Sequence, residues 1–171
     1  VEKMKEAMEQ GVKPIMFCNF NSSIDLATDL LETDWVITGA TDKARRDEIV
    51  AEFQTGKKLK PLIVNSATMS EGVSLHDLEG IQRVCYVMPN YSAQSLLQIT
   101  GRTRRVNAKS DAIYELQFAA GTFESRIASA LRKKLIALET FTQESLNMTA
   151  ITAIRDANNC AYAVNTGGAD K

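Results

Sequence analysis

The sequence contains few of the residues that build metal sites, disulfides or membrane spans. It has one histidine, His76, and three cysteines without a C-x-x-C pair, so we do not expect these residues to bind a metal ion. Cys18 and Cys85 each lie inside an apolar run, which predicts small buried side chains in a reducing compartment. No run approaches the roughly 18 apolar residues of a membrane span, so no membrane contact is expected.

An excess of positive charge is also missing. The formal net charge is -1 over 171 residues, so any binding to nucleic acid must come from a local patch and not from an overall positive field. The composition is that of a globular protein, and the length is sufficient for one domain with a sizeable core. We see no signal peptide, and the chain begins with Val1 instead of methionine. We therefore expect an intracellular protein, in the cytoplasm or the nucleus, of which this chain is an excised part.

Short apolar runs alternate along the chain with segments whose apolar residues have helical spacing. The runs, each of which predicts a buried strand, lie at 14–20, 34–38, 61–65, 83–88 and 112–118. Strands that alternate with helices predict right-handed β-α-β units. The expected fold class is therefore α/β, with an open and mostly parallel sheet that carries helices on both faces. Ligands of such sheets bind beyond the carboxyl ends of the strands.

Three regions are expected along the chain. Residues 1–12 form an N-terminal helix or linker, residues 13–138 form the α/β lobe, and residues 139–171 form a helical extension with a flexible tail. One more helix is predicted in that extension, around 147–157. The polar segment 66–77 follows the third strand, and we expect it to be a loop or a short helix outside the core.

The most informative pattern is a group of arginines that follows an amphipathic helical segment. The helix is expected to end at Gly101, and Arg102, Arg104 and Arg105 come within the next four positions. Arginine binds phosphate oxygens in a bidentate way, so the group suits an anion. Taken alone, the group is equally consistent with a solvated basic loop.

The spacing of this group resembles a motif of a known family. Gln98, Gly101, Arg102 and Arg105 form Q-x-x-G-R-x-x-R, which is similar to the sixth motif of superfamily 2 helicases and translocases. In that family the two arginines reach across a cleft to the phosphates of ATP, and the glutamine lies close by. Arg104 falls at a position that is usually small, so we interpret it as a nucleic-acid or surface cation.

Three further segments resemble motifs of the same family, in the same order. The first strand ends in FCNFNSS, which is similar to motif IV. The second strand is followed by a segment with Arg46, Phe53 and Gly56 in the pattern R-x-x-x-x-x-x-F-x-x-G, where Arg46 is interpreted as a cation of the helix surface without a catalytic role. The third segment, NSATMSEGVSL, is similar to motif V.

Motif V of common members reads T-D-x-x-x-R-G-(I/V)-D. This chain keeps the hydroxyl as Ser66 and the glycine as Gly72, but it has Glu71 in place of the arginine and Ser74 in place of the carboxylate. These departures argue against the commonest RNA-helicase subgroup. The ending G-V-S-L is closer to strawberry-notch-type and viral or phage members, and the last long helix resembles the corresponding segment of Swi/Snf-type DNA translocases.

The resemblance extends over about 13–138 and identifies the chain as the second RecA-like lobe of such a motor. It implies that ATP with magnesium is held mainly by a first lobe that is missing here, because the chain has neither a G-x-x-x-x-G-K-[ST] loop nor an acidic pair after an apolar strand. It also implies two partners, that first lobe and a nucleic acid, with DNA favoured over RNA. The residues that it implies are the catalytic Arg102 and Arg105, the nucleotide-binding Gly72, Ser74, Gln98 and Gly101, and the nucleic-acid-binding Asn19, Asn21, Gly39, Ser66 and Thr68.

The sequence is also consistent with three alternatives. The altered motif V favours a helicase-like interaction module that has lost its ATPase activity, whereas the intact Arg102 and Arg105 pair speaks against it. A restriction-type translocase that moves along DNA without unwinding it fits the same motifs. The third alternative is a nucleotide-binding fold unrelated to helicases.

Overall fold

A computed structural model describes residues 1–88, 90–118, 123–142 and 161–165. Its α-helices are α1 (Glu2–Glu9), α2 (Asn21–Leu31), α3 (Lys43–Thr55), α4 (Ala93–Thr103) and α5 (Glu124–Thr142), and a 3₁₀ helix spans Ser66–Glu71. Its strands are β1 (Lys13–Cys18), β2 (Val36–Ile37), β3 (Leu62–Asn65), β4 (Arg83–Val87), β5 (Ala112–Gln117) and β6 (Ala161–Asn165). Of the helices in these residues, none is both long and apolar enough to cross a bilayer.

The strands form one sheet in the order β2-β3-β1-β4-β5-β6. The first five of these are mutually parallel, and β6 pairs with β5 in the antiparallel direction. The predicted α/β fold with a mostly parallel sheet is therefore confirmed. β6 lies within the segment for which the sequence predicts a flexible tail, and the helix predicted around 147–157 lies outside the described residues.

Alternate residues of the central strands point to opposite faces of the sheet and bury separate sets of apolar side chains. One face packs against α1 and α2, through Met4, Ala7, Ile24 and Ala27. The other face packs against α3, α4 and α5 and forms the larger core, which includes Ile49, Phe53, Leu96, Ile99, Ile127 and Leu131. Most strand residues on both faces are buried, including Cys18 and Cys85, which confirms the predicted burial of these two thiols.

The segment 66–77 differs from its prediction. It was expected to lie outside the core, but Met69 and Leu75 are fully buried in the larger core and Val73 is nearly so. Its sequence is polar overall, but its apolar residues fall where the 3₁₀ helix and the following loop face α4. This part of the chain is therefore held firmly against α4.

A cluster of charged side chains is buried at the amino ends of β1 and β4. Lys13 and Arg83 begin these strands, and their cationic groups lie 5.4 Å and 4.9 Å from the ring centroid of Phe53. Lys13 Nζ also donates to the carbonyl oxygens of Phe53 (2.7 Å) and Gly56. A Cβ added at Gly56 would lie 2.3 Å from the Glu52 carbonyl oxygen, so only glycine allows the backbone at position 56 to come this close to Glu52. Phe53 and Gly56 of the R-x-x-x-x-x-x-F-x-x-G segment therefore stabilise the fold.

The Asp77 carboxylate offsets part of the charge of this cluster. It is fully buried, and its Oδ1 lies 3.4 Å from Arg83 Nη1. Oδ1 accepts from the backbone amides of 79–81 at 2.9–3.2 Å, and Oδ2 accepts from the Ser110 hydroxyl at 2.6 Å. Burial raises the pKa of Asp77, but the Ser110 hydroxyl, the amides and Arg83 together hold it below its ordinary value.

The stability of the chain should depend on pH where Lys13 titrates. Burial, and then the positive charge of Arg83, lower the pKa of Lys13 from 10.5 to about 8. Between these values the unfolded chain binds more protons at this residue than the folded chain does, so its contribution to the free energy of unfolding rises with pH. We expect the free energy of unfolding of the wild type to increase by at least about 1 kcal/mol relative to Lys13→Met across this window.

Urea unfolding of both chains between pH 8 and 10.5 measures this difference. Burial raises the pKa of Cys18 to about 11 and of Tyr86 to about 12, which lowers stability at high pH, but both chains share this effect and it cancels. Lys57→Met, at an exposed lysine, is the matched control. A difference that stays flat or falls with pH contradicts the prediction.

Candidate functional site

The end of α4 that carries the arginines is fixed by buried hydroxyl groups. Thr103 Oγ1 donates to the Ile99 carbonyl oxygen at 2.9 Å and lies 2.5 Å from the Tyr114 hydroxyl on β5. The helix was predicted to end at Gly101, but it continues to Thr103. Gly101 is exposed, and a Cβ added there would meet no atom within 4 Å, so this glycine does not force the chain to turn. The Arg104 backbone amide donates to the Thr100 carbonyl oxygen at 2.9 Å and continues the helix, and the side-chain bonds of Thr103 fix its end to β5.

Arg102 joins α4 to the segment that follows β3. Its Nε donates to the Met69 carbonyl oxygen at 3.2 Å, and its own carbonyl oxygen accepts from the Leu75 backbone amide at 2.8 Å. Gln98 lies four positions earlier on α4, so it shares the helix face of Arg102. The fold thus brings together the two motifs that resemble motif V and motif VI.

Arg105 lies beside the second altered position of motif V. Its Nη2 donates to Ser74 Oγ at 3.3 Å, and the arginine is exposed. Gly72 ends the 3₁₀ helix with φ of +85°, a conformation that side chains disfavour, and this turn leads the chain to Ser74. A hydroxyl is neutral, so the charge of Arg105 is not offset by this partner and is available to an anion.

The neighbouring His76 indicates a positive potential around the arginines. Burial lowers the pKa of His76, and the positive charges of Arg105 and Arg83 lower it further. Its Nδ1 lies 3.3 Å from Gln54 Nε2, and its Nε2 is buried without a hydrogen-bond partner among the described residues. The effect of Arg105 on His76 shows that the charge of this exposed guanidinium reaches the loop after the 3₁₀ helix.

Asparagine side chains link the carboxyl ends of three neighbouring strands. Asn19, after β1, donates to the Met88 carbonyl oxygen at 3.0 Å and accepts from Asn90 at 3.1 Å, both beyond β4. Asn21 is exposed at the start of α2 and accepts from Asn65, the last residue of β3, at 3.4 Å. We call this set, Asn19, Asn21, Asn65 and Asn90, the amide edge.

The other residues expected to bind nucleic acid lie in two kinds of surroundings. Gly39 is exposed in the turn after β2. Ser66 and Thr68 are both buried, so their hydroxyls face the protein interior. Thr68 Oγ1 donates to the Asn65 carbonyl oxygen at 2.7 Å, whereas Ser66 Oγ has no hydrogen-bond partner among the described residues. The Thr68 hydroxyl therefore holds the start of the 3₁₀ helix, whereas the Ser66 hydroxyl is buried beside it.

A family model for the helicase conserved C-terminal domain matches residues 1–107, which is more than half of the chain. The chain belongs to this helicase family. A protein of Acanthamoeba polyphaga mimivirus, L364, whose name describes an ATP-dependent RNA helicase, is 31% identical over 137 residues. These residues are 79% of this chain but 25% of the viral protein, so the chain spans a quarter of that relative.

A solved structure has the same fold as this chain. The C-terminal part of the Fun30 ATPase domain has a TM-score of 0.61 and 16% sequence identity, and the match covers 76% of this chain and 44% of that chain. At this identity the likeness concerns the fold alone. The RecA-like fold of the helicase lobe is thus established by sequence and by structure.

Some residues of the helicase lobe that shape the site were not identified from the sequence. Asn65 and Asn90 belong to the amide edge, and Asp77 anchors the loop that follows the arginine-contacting segment through its bonds to the amides of 79–81 and to Ser110. A signal was available for the first two, because polar residues that directly follow parallel strands meet at one edge of the sheet. Among the described residues no group of three or more His, Cys, Asp or Glu side chains is placed to hold a metal ion.

Proposed function

We propose that this chain is the second motor lobe of an ATP-dependent helicase or translocase. The observation that carries the proposal is the arrangement of Arg102 and Arg105. Both contact the segment after β3, yet Arg105 stays exposed with a neutral partner. This arrangement positions the arginines while leaving charge for a ligand from outside the chain.

The arginines act on a nucleotide held mainly by the first lobe of the same full-length protein. ATP with magnesium supplies the phosphoryl group and the negative charge that has to be stabilised. Arg105 donates to phosphate oxygens from its exposed guanidinium, and Arg102 does so with the nitrogens other than Nε, which is bonded to Met69. Gly72 and Ser74, with Gln98 and Gly101, line the approach to these arginines.

The amide edge and the turn at Gly39 contact the backbone of a nucleic acid. Asn21 and Gly39 are exposed, and Asn19 and Asn21 supply amide groups that hydrogen-bond phosphate and sugar oxygens. Thr68 contributes by holding the start of the 3₁₀ helix at this edge, next to Ser66. Closure of the two lobes around ATP shifts them relative to each other, and the contacts with the backbone convert that shift into movement along the strand.

An ATPase measurement tests this proposal. The 171-residue chain alone should hydrolyse ATP no faster than background, whereas the full-length protein should hydrolyse it and be stimulated by nucleic acid. Parallel assays with DNA and RNA identify the polymer, since the mimivirus relative is named as an RNA helicase and the motifs favour DNA. Robust activity of the isolated chain, or no stimulation of the full-length protein by either polymer, contradicts the proposal.

A second candidate is a helicase-like interaction module without ATPase activity. Its support is the hydroxyl of Ser74, which stands where common members have a carboxylate and contacts Arg105 at 3.3 Å. Absence of nucleic-acid-stimulated hydrolysis in the full-length protein favours this candidate. If hydrolysis is present, a strand-displacement assay beside a triplex-displacement assay separates an unwinding helicase from a restriction-type translocase.

A further inference from the structure

The aromatic side chains whose burial the structure describes, within 1–123, divide into a buried set and an exposed set. Phe17, Trp35, Phe53, Tyr86, Tyr114 and Phe118 are each at most 9% exposed. Phe20, Tyr91 and Phe123 are 64%, 50% and 67% exposed. Large aromatic rings are normally buried or at an interface, so the location of the exposed three is informative.

All three exposed rings lie at the same edge of the sheet. Phe20 comes two positions after the end of β1, Tyr91 four positions after β4, and Phe123 six positions after β5. These strands are adjacent and parallel, with Phe17, Val87 and Leu116 in register. Neighbouring strands lie about 4.8 Å apart, so the rings follow three consecutive strands in a row. We call Phe20, Tyr91 and Phe123 the aromatic row.

The backbone that carries the aromatic row is fixed by hydrogen bonds. The Asn19–Asn90 bond of 3.1 Å joins the residues that directly precede Phe20 and Tyr91. Lys134 Nζ donates to the Tyr91 carbonyl oxygen at 2.6 Å, and the Arg126 backbone amide donates to the Phe123 carbonyl oxygen at 3.0 Å. The rings are thus attached to an ordered frame.

The surroundings of the aromatic row are polar and not continuously apolar. Amides of the amide edge lie between Phe20 and Tyr91, and the exposed cations Lys134 and Arg126 flank Tyr91 and Phe123. Glu124, the residue after Phe123, carries a negative charge that opposes these cations. Rings interleaved with amides and cations suit a ligand that alternates flat apolar groups with phosphates.

We propose that the aromatic row is a stacking surface for the unpaired bases of single-stranded nucleic acid. Every base has a π-face, so stacking on aromatic rings tolerates any sequence and requires unpaired bases. The proposal rests on the proposed function and adds that this lobe distinguishes single strands from duplexes. The amide edge contacts the backbone of the same strand whose bases stack on the rings.

Binding to the full-length protein tests this inference, measured by fluorescence anisotropy over a salt titration. The probes are labelled oligonucleotides of about 20 nucleotides: oligo-dT, oligo-U, an abasic strand of the same length, and a duplex. Phe20→Ala and Tyr91→Ala should each weaken binding of oligo-dT or oligo-U by about 5- to 100-fold. Binding of the abasic strand and the salt dependence should not change, because the rings contact no phosphate.

Two matched variants separate stacking from a loss of folding. Tyr91→Phe keeps the ring and should bind single strands as the wild type does. Leu30→Ala removes an exposed apolar side chain of α2, away from the aromatic row, and should also bind normally. If an alanine variant loses binding to oligo-dT while both variants keep binding to oligo-U, DNA is the stacked polymer. If a variant loses binding to oligo-U while both keep binding to oligo-dT, RNA is the stacked polymer.

Other outcomes overturn the inference in distinguishable ways. If the wild type binds the intact and abasic strands equally well, the lobe grips only the backbone, and the proposed function survives. If the alanine variants lower the melting temperature but leave binding unchanged, another part of the protein covers the rings. If the wild type binds none of the probes, the proposed nucleic-acid function itself fails.

Discussion

Replacing Arg105 by alanine in the full-length protein should lower the rate of ATP hydrolysis by about 10³-fold or more, while ATP still binds. The expected loss is large because a guanidinium stabilises the charge that spreads over the phosphate oxygens in the transition state. Arg105 is exposed, and its contact is the neutral hydroxyl of Ser74, so its charge is available. Single-turnover hydrolysis measures the rate, and titration with a fluorescent ATP analogue measures the binding.

Arg102→Ala should have a similar effect, and it requires one additional measurement. Arg102 Nε also donates to the Met69 carbonyl oxygen, so the melting temperature must show that the variant is folded. Arg104→Ala is the matched control, since this exposed arginine belongs to the same cluster and is not assigned to the phosphates. Normal turnover in both Arg102→Ala and Arg105→Ala would refute the assignment of the two arginines.

The substitution Asp77→Asn should reduce the free energy of unfolding by about 3–5 kcal/mol. Asp77 is fully buried and lies 3.4 Å from Arg83, which is also buried, so the amide would leave a charge without its counterion. Lys13, another buried cation of the cluster, makes this loss greater. The effect is large beside the roughly 5–15 kcal/mol that stabilise a typical domain, and urea unfolding measures it.

Two further variants test whether this loss of stability comes from the buried ion pair. Asp111→Asn changes an exposed aspartate nearby and should leave the free energy of unfolding almost unaltered. Adding Arg83→Met to Asp77→Asn should recover part of the stability, because it removes the cation that Asp77 neutralises. If the free energy of unfolding of Asp77→Asn alone lies within about 0.5 kcal/mol of the wild-type value, the buried pair does not stabilise the fold in the proposed way.

The strands were predictable because buried parallel strands are continuous apolar runs. Residues 61–65 and 83–88 were predicted within one position of β3 and β4. The prediction that the strands run parallel followed from the alternation of strands with helices. The positions of the arginines could also be predicted, because the spacing of Gln98, Gly101, Arg102 and Arg105 is a local property of the sequence.

Features that depend on contacts between distant residues were not predictable. The attachment of the end of α4 depends on Thr103 and on Tyr114, which comes from the next strand. The burial of Ser66 and Thr68 follows from the direction in which the 3₁₀ helix packs, and a polar sequence gives no sign of that direction. Such facts become visible only when the strands are placed side by side.

The 3₁₀ helix connects the two halves of the candidate site. Asn65, at its start, bonds to Asn21 and caps the Ala67 amide, while Met69 near its end bonds to Arg102. Six residues of 3₁₀ helix measure roughly 12 Å, too short and too closely packed to bend without moving both ends. Under the proposed function, thermodynamic linkage then requires reciprocity: the factor by which nucleic acid alters the affinity for ATP equals the factor by which ATP alters the affinity for nucleic acid.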